Sequence, residues 1–260
     1  MNFSLQTIFS IARNTFREAV RDRVLYNLVL FVLLITASAI FLGELTAGHE
    51  ARTIVNLGLG AMLVFGTFIS IFVGVGLVSK EIEKRTVFAI FSKPIGRGEF
   101  IVGKYLGLCL TLLVNVLIMG VGVSLALAYV GGAGLAASAW AAIFLIYLEL
   151  TILTAVAILF SSFSSPALSA LLTFFVFIIG HFSSSLRDFA ANLGSAGARF
   201  FFDAIYYLLP NLSFFTFRTE ASRGDIPTPA MLGGATLYAV FYIGILLAAT
   251  ILIFSRRNFK

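Results

Sequence analysis

The stretch "RGEFIVGKY" contains a residue spacing that other proteins use to bind nucleotide phosphates. Gly98 is followed by four residues and then by Gly103 and Lys104, as in a phosphate-binding loop. That loop also needs a Ser or Thr after the lysine to ligate magnesium, and this chain has Tyr105 there. The loop must also follow a buried strand, and the sequence predicts none before this stretch. We therefore predict that the chain has no ATP site and binds no cofactor of its own.

Residues that could catalyse hydrolysis or bind a metal are few and scattered. His49 and His181 are the only histidines, and His49-Glu50 lacks the second His of a zinc-protease helix. Cys109 is the only cysteine, so neither a disulfide nor a zinc cluster is available within the chain. The sequence predicts no metal site and no catalytic set. We expect the chain not to be an enzyme and not to bind nucleic acid.

Glu149 is the one charged residue well inside an apolar stretch. A carboxyl in that position is a functional candidate by default, because it lines a pathway or pairs within a helix bundle. The alternative is a neutral, hydrogen-bonded carboxyl that holds helices together. No basic partner is visible in the neighbouring apolar stretches, and both interpretations stay open at this stage.

The composition indicates that these residues belong to an integral membrane protein. Of the 260 residues, 60% are hydrophobic and 12% are charged, and the mean hydropathy is +1.03. Soluble domains carry about 25% charged residues. Apolar runs of the ~20 residues needed to cross a bilayer predict an all-α, single-domain protein over residues 1–260 with six transmembrane helices. The predicted spans are residues 24–43, 54–78, 105–129, 139–160, 166–182 and 231–254.

The basic residues predict how these spans are oriented. Most of the 18 Lys and Arg residues lie in the N-terminal arm, in residues 79–104 and at the C-terminus. Cytoplasmic segments carry an excess of Lys and Arg, so both termini and residues 79–104 are predicted to be cytoplasmic. Lys104 and Tyr105 would form an interfacial anchor where this segment enters the third span.

The N-terminal arm, residues 1–23, has the pattern of a basic amphipathic helix. Apolar residues recur at helical spacing, while Arg13, Arg17 and Arg21 follow one another at every fourth position. The pattern predicts an interfacial helix that directs its cations toward anionic membrane lipids.

Two other segments are predicted to lie outside the spans. In residues 79–104, a short helix from Glu81 to Ser92 carries Phe88 and Phe91, and exposed aromatic residues suggest a covering protein or lipid surface. The outer segment, residues 183–230, is predicted to contain a re-entrant or interfacial helical pair that is broken at Pro210.

Residues 81–107 resemble the permease subunits of export-type (type 2) ATP-binding cassette (ABC) transporters. The stretches 12–26 and 206–215 look like the branch grouped with copper-enzyme-maturation and gliding-motility permeases. Many members have Gly before the motif's Thr, whereas this chain has Arg85, as that branch often does. The residues that match the family motif are Glu81, Glu83, Thr86, Lys93, Pro94, Arg97, Glu99, Phe100, Gly103 and Lys104.

The resemblance implies a permease, most simply a homodimer in the bacterial inner membrane, that moves cargo with two copies of a separate cytoplasmic ATPase. ATP and Mg would then be bound by the ATPase, and residues 81–92 would be the coupling helix that docks on it. An alternative is a non-transporting membrane anchor for an ATPase with a mechanical or sensing role. The residues implied in coupling are Glu81, Glu83, Thr86, Phe88, Phe91, Lys93, Pro94, Arg97 and Glu99.

Overall fold

The structure is a computed structural model that describes residues 4–21, 49–83, 96–183 and 196–256 and a few positions between 30 and 41. No strand occurs in these residues. Short 3-10 helices at Ala133–Leu135 and Leu212–Phe215 accompany the α-helices. The α-helices are α1 (Leu5–Arg21), α2 (Glu50–Glu83), α3 (Arg97–Tyr129), α4 (Ala136–Ser161), α5 (Pro166–His181), α6 (Ala196–Leu208), α7 (Arg218–Arg223) and α8 (Pro229–Arg256).

Four of the described helices, α2, α3, α4 and α8, are long and apolar enough to cross a membrane. They correspond to the predicted second, third, fourth and sixth spans. The predicted fifth span forms α5, but its 16 residues extend only about 24 Å, less than the ~30 Å of bilayer hydrocarbon. Most of the predicted first span, residues 24–43, lies outside the described residues. The protein is therefore an all-helical, multi-pass membrane protein, and the count of six spans stays a prediction.

Helix α4 forms the centre of the bundle. It is apolar on all sides, as expected for a helix surrounded by other helices, and α2, α3, α5 and α8 all pack against it. Polar side chains join α4 to α2, because the Ser70 hydroxyl lies 2.8 Å from the Thr154 hydroxyl and 3.1 Å from the Leu150 carbonyl. Interhelical hydrogen bonds of this kind help to hold helices together in lipid.

The contacts divide the bundle into two ends. At the termini end, the start of α1, the start of α3 and the end of α8 meet. At the α7 end, α7 contacts the start of α4, where the Ser138 hydroxyl donates to the Ala221 carbonyl at 2.9 Å. The described parts of both chain termini therefore lie at the same end of the bundle. Which side of the membrane that end faces stays a prediction.

The outer segment contains a bent helical pair. Helix α6 ends at Leu208, and the helical stretch from Leu212 to Arg223 is inclined to it by 51°. The break between them includes Pro210, in agreement with the predicted interruption. Asn211 holds the break in place, because its side-chain carbonyl accepts from the Ser183 hydroxyl at 2.8 Å and its backbone N–H donates to the Tyr238 hydroxyl at 2.8 Å. The position of this pair relative to the membrane stays a prediction.

Candidate functional site

Helix α1 packs along the first half of α3 and divides its apolar residues between two surfaces. Ile8, Thr15 and Ala19 are buried in the protein, whereas Leu5 and Phe9 are 80% and 72% exposed. The predicted amphipathic helix is therefore present as α1. One part of its apolar surface contacts α3, and the other part remains available to a membrane surface.

Two glycines allow α1 and α3 to approach closely. Gly103 and Gly107 lie one turn apart on α3, and a Cβ at Gly107 would be 2.6 Å from the Ala12 carbonyl oxygen. At Gly103, a Cβ would be 2.8 Å from the Cβ of Ile11. Small residues at four-residue spacing are typical of closely packed membrane helices. The second glycine of the phosphate-loop-like spacing thus belongs to a helix-packing motif.

Lys104 and Tyr105 contact other parts of the protein. The Lys104 side chain is 2% exposed, and its Nζ lies 3.6 Å from Glu18 Oε2 and 5.9 Å from the centre of the Phe100 ring. Tyr105 is 6% exposed, and its hydroxyl donates to the Thr151 carbonyl at 3.4 Å. The structure gives both residues protein partners, and their role as a membrane anchor stays a prediction.

Arg13 and Arg17 are exposed on α1, as an interfacial helix requires. Arg21 is the last residue of α1, and its side chain lies outside the described residues. The proposed contact of these cations with lipid headgroups is an untested prediction.

Glu99 joins the N-terminus of the described chain to the start of α3. Its carboxylate accepts from the Ser4 backbone N–H at 2.6 Å and from the Gly96 backbone N–H at 3.0 Å. The Gly96 bond caps the first turn of α3, where backbone N–H groups lack partners within the helix. The Ser4 bond connects segments 95 residues apart in the sequence. One carboxylate therefore fixes the starts of both α1 and α3.

Arg97 joins the same place to the end of α8. Its Nη1 donates to the carbonyls of Phe254 and Ser255 at 3.1 and 2.6 Å. Carbonyls in the last turn of a helix lack intrahelical donors, and a guanidinium there also interacts favourably with the helix dipole. Arg97 and Glu99 together connect three helices, and we call this pair with its partners the terminal junction.

The other residues implied in coupling cannot be compared with the structure. Glu81 and Glu83 lie in the last turn of α2, and their side chains are outside the described residues. Thr86, Phe88, Phe91, Lys93 and Pro94 lie entirely outside them, and so does most of the predicted coupling helix.

Glu149 lies at the middle of α4 and is 1% exposed. Its Oε1 is 3.5 Å from Nε2 of His181, the last residue of α5. Within the described part of the chain, Oε1 has no hydrogen-bond partner. Glu149 therefore has a basic neighbour that inspection of the spans did not reveal.

The hydrogen bonding of His181 determines what this pair can do. Its Nδ1 lies 3.2 Å from the Phe177 carbonyl oxygen, which can only accept, so a hydrogen bond there requires a proton on Nδ1. In the neutral imidazole, Nε2 is then an acceptor and faces a carboxyl group, which is also an acceptor when ionised. A favourable contact between Glu149 and His181 therefore requires one additional proton, carried by either residue.

A small cavity adjoins the pair. Its volume is about 110 Å³, room for a few water molecules at about 30 Å³ each, and Glu149, His181, Thr216 and Arg218 contribute its polar lining. The bent pair of the outer segment closes one side, because Thr216 and Arg218 follow the break. The cavity can thus hold water or a small polar group next to a proton-sharing pair. Within the described residues, no group of three His, Cys, Asp or Glu side chains is placed to hold a metal ion.

The position of His181 could have been derived from the turn that joins α4 to α5. Two antiparallel neighbouring helices bring residues at similar distances from their connection together. Glu149 lies 13 residues before Ser162, and His181 lies 16 residues after Ser165. The apolar pattern alone does not give this proximity, because it does not reveal which helices are neighbours.

Known proteins resemble this chain both as a family and individually. The profile of the ABC-2 family transporter protein matches residues 9–259, nearly the whole chain. The probable ABC transporter permease protein NosY of Pseudomonas aeruginosa is 27% identical over 107 residues, which cover 40% of this chain and 39% of that protein. The similarity to NosY thus spans about two fifths of each chain, while the family match spans nearly all of this one. The chain belongs to the ABC-2 family of transporter proteins.

Proposed function

We propose that this chain is the permease subunit of an ABC exporter. It forms a homodimer in the bacterial inner membrane with both termini in the cytoplasm. Two copies of a separate ATPase bind ATP and Mg and dock on residues 81–92. The observation that carries this proposal is the family match over residues 9–259, and the similarity to NosY, a probable ABC transporter permease, agrees with it.

The terminal junction supports a coupling mechanism. Residues 81–92, which would dock on the ATPase, are followed closely in the sequence by Gly96, where Glu99 and Arg97 begin their contacts with α1 and α8. We propose that a displacement of residues 81–92 is passed through this junction to the starts of α1 and α3 and to the end of α8. Rigid connected elements of this kind transmit movement between distant sites. We propose that Arg97 and Glu99 act in coupling by positioning these helices.

The Glu149–His181 pair is our candidate for a site on the transport path. A buried ionisable pair beside a cavity is typical of polar pathways through membrane proteins. The cavity is closed partly by the outer segment, so movement of that segment would open it. In this proposal, the pair contacts a polar or cationic part of the cargo. Alternatively, the pair retains a proton when the cavity opens or closes.

The docking proposal is tested by purifying the permease from its native membrane together with its ATPase partner. We expect Phe88→Ala/Phe91→Ala to insert normally and to lose the ATPase, since each buried aromatic anchor can contribute about 2 kcal/mol or more to binding. The matched control is Phe200→Ala/Phe201→Ala, which removes two exposed aromatics from α6. Equal recovery of the ATPase with both double variants would contradict docking on residues 81–92.

The transport proposal needs a second measurement on the complex. In proteoliposomes, we expect ATP hydrolysis by the assembled complex to be coupled to movement of a compound across the bilayer. Candidate compounds are those identified by mass spectrometry in the complex purified from its native membrane. An intact complex whose ATP turnover responds to none of them, and which moves none of them, would favour the membrane-anchor alternative.

A further inference from the structure

A second, larger cavity lies between α2 and α7, and Leu34 and Ser38 also line it. Its volume is about 720 Å³, and it opens to the surface of the described bundle. Arg52 and Asn56 of α2 and Arg218 and Ser222 of α7 provide polar lining, and no Asp or Glu is among the described residues that line it. The proposed pathway pair does not account for this cavity, although Arg218 borders both.

The lining changes from cationic to apolar along α2. Arg52 and Asn56 lie at the beginning of the helix, whereas Val64 and Phe65 lie three turns further on. From Arg52 to Phe65 the helix advances about 20 Å, more than the ~15 Å depth of half a bilayer core. The cavity therefore combines a charged end and an apolar wall over a distance that suits one lipid-sized molecule.

Arg218 is held close to the backbone of α2. A Cβ at Gly60 would be 2.8 Å from Nη1 of Arg218, so the guanidinium occupies the space that the absence of a side chain leaves. In the described part of the chain, neither Arg52 nor Arg218 has a carboxylate within salt-bridge distance. Two cationic groups thus face one cavity with no counter-ion among the described residues.

The apolar surface continues beyond the cavity on α2. Leu57, Val64, Phe68 and Phe72 are between 45% and 62% exposed, and the rings of Phe68 and Phe72 are stacked with centres 6.0 Å apart. The last three residues recur at every fourth position and share one face of the helix. A hydrocarbon chain that leaves the cavity would have a continuous apolar surface to follow.

We propose that this groove binds an amphiphile with an anionic head group. Arg52 and Arg218 bind the head group, for which guanidinium groups provide paired N–H donors with the geometry of phosphate or carboxylate oxygens. The wall from Gly60 to Phe72 binds the hydrocarbon chain. This assignment does not depend on the proposed transport function, because a resident membrane lipid and a transported amphiphile share the same chemistry.

Native mass spectrometry of the purified permease tests the proposal without an ATPase. The detergent-solubilised protein is exposed to equal amounts of phosphatidylglycerol and phosphatidylcholine with identical acyl chains, and to glycerol phosphate alone. We expect preferential retention of phosphatidylglycerol and no retention of glycerol phosphate. Arg52→Ala and Arg218→Ala should each weaken phosphatidylglycerol retention about tenfold, the loss expected for one charge-assisted contact.

Arg223→Ala is the matched control, because Arg223 is exposed on the same short helix as Arg218 and does not line the cavity. It should retain phosphatidylglycerol like the wild type. Arg218→Lys keeps the charge and should lose less than Arg218→Ala, and size-exclusion elution checks that each variant is folded. Equal retention of the two lipids by the wild type would overturn the proposal, and so would a preference that both arginine-to-alanine variants keep unchanged.

Adding the ATPase and ATP distinguishes the two sources of the ligand. ATP-dependent release of bound phosphatidylglycerol identifies a transported amphiphile, and retention identifies a resident lipid. Both results support the groove as the binding site. A failure of the transport proposal therefore leaves the lipid-retention result intact, and a failure of lipid retention leaves the transport test intact.

Discussion

The termini end and the α7 end of the bundle differ in how much open space they contain. At the termini end, α1 lies against the backbone of α3 at Gly103 and Gly107, and the terminal junction adds hydrogen bonds to α8. Toward the α7 end the structure contains two cavities, and Arg218 borders both of them. The α7 end also has close contacts, because a Cβ at Gly180 would be 2.7 Å from the Pro210 carbonyl oxygen and one at Gly132 would be 2.5 Å from Ala51 Cβ. There, however, they lie beside open space and the long side chain of Arg218.

This difference would suit the two tasks of the proposed permease subunit. A segment that receives movement from an ATPase needs neighbours that move with it, whereas a cavity that accepts different groups needs side chains that can rearrange. Because packed interfaces shift between discrete arrangements rather than deform continuously, the two tasks are best performed in separate places. Substitutions at the two ends should therefore have different effects.

The largest effect is expected for Gly107→Ala at the termini end. The new Cβ would lie 2.6 Å from the Ala12 carbonyl oxygen, and backbone cannot move aside as a side chain can. We expect α1 to separate from α3 with a loss of about 1–3 kcal/mol in stability, measured by thermal unfolding in detergent. The control is Gly233→Ala on α8, where no atom lies within 4 Å of the added Cβ. Equal stability of the two variants would show that the α1–α3 contact is not closely packed.

A smaller loss is expected for Arg97→Ala in the terminal junction. The change removes the donors to the Phe254 and Ser255 carbonyls. Because the site is partly exposed, we expect a loss of only about 1 kcal/mol in stability. The informative measurement is transport per ATP hydrolysed by the assembled complex, which should fall because α8 no longer moves with α3. An unchanged ratio of transport to ATP hydrolysis would show that Arg97 does not act in coupling.

The next effect concerns the buried pair between the two ends. Glu149→Gln keeps a group that can donate to His181 Nε2, so assembly should resemble the wild type, but the residue can no longer ionise. Glu149→Leu removes the carboxyl partner of Nε2 while the Nδ1 contact with the Phe177 carbonyl remains, and it should reduce stability by ~0.6 kcal/mol, with ~1.7 as the upper bound.

Transport distinguishes the two roles of this carboxyl. We expect Glu149→Gln to reduce cargo-stimulated ATP turnover while the complex stays assembled. Full turnover in this variant would instead support the structural role, in which the carboxyl only joins α4 to α5.

The smallest effect on stability is expected for Gly60→Ala at the α7 end. Its added Cβ would meet Nη1 of Arg218, the mobile end of a long side chain, at 2.8 Å. We expect the unfolding free energy to change by no more than about 0.5 kcal/mol, because the guanidinium can move aside. Retention of phosphatidylglycerol should nevertheless fall, because Arg218 is displaced. A loss of stability as large as that of Gly107→Ala would contradict the contrast between the two ends.

The features that were predictable from sequence are those that depend on local pattern. The lengths of the apolar runs predicted α2, α3, α4 and α8, and the amphipathic spacing predicted α1. Each of these patterns lies within a single helix. The break at Pro210 was also predictable, because proline lacks a backbone donor. The polar pairs were not predictable in this way. Glu99 and Ser4 belong to segments that are distant in sequence. Glu149 and His181 belong to consecutive helices, but their contact depends on how those helices pack and not on a pattern within either one.

The Glu99–Ser4 bond also has a consequence for how the protein is synthesised. The two residues are separated by 95 positions, so at about 5–20 residues per second a ribosome needs about 5–20 s to add the second after the first. During that time α1 is present without α3. The surface of α1 that Gly103 and Gly107 will later cover can therefore contact only the bilayer. We expect the nascent chain to rest with α1 on the membrane surface until α3 has entered the bilayer. Docking of α1 would then be a late step of biogenesis, and chains stalled before residue 107 should expose α1 to protease.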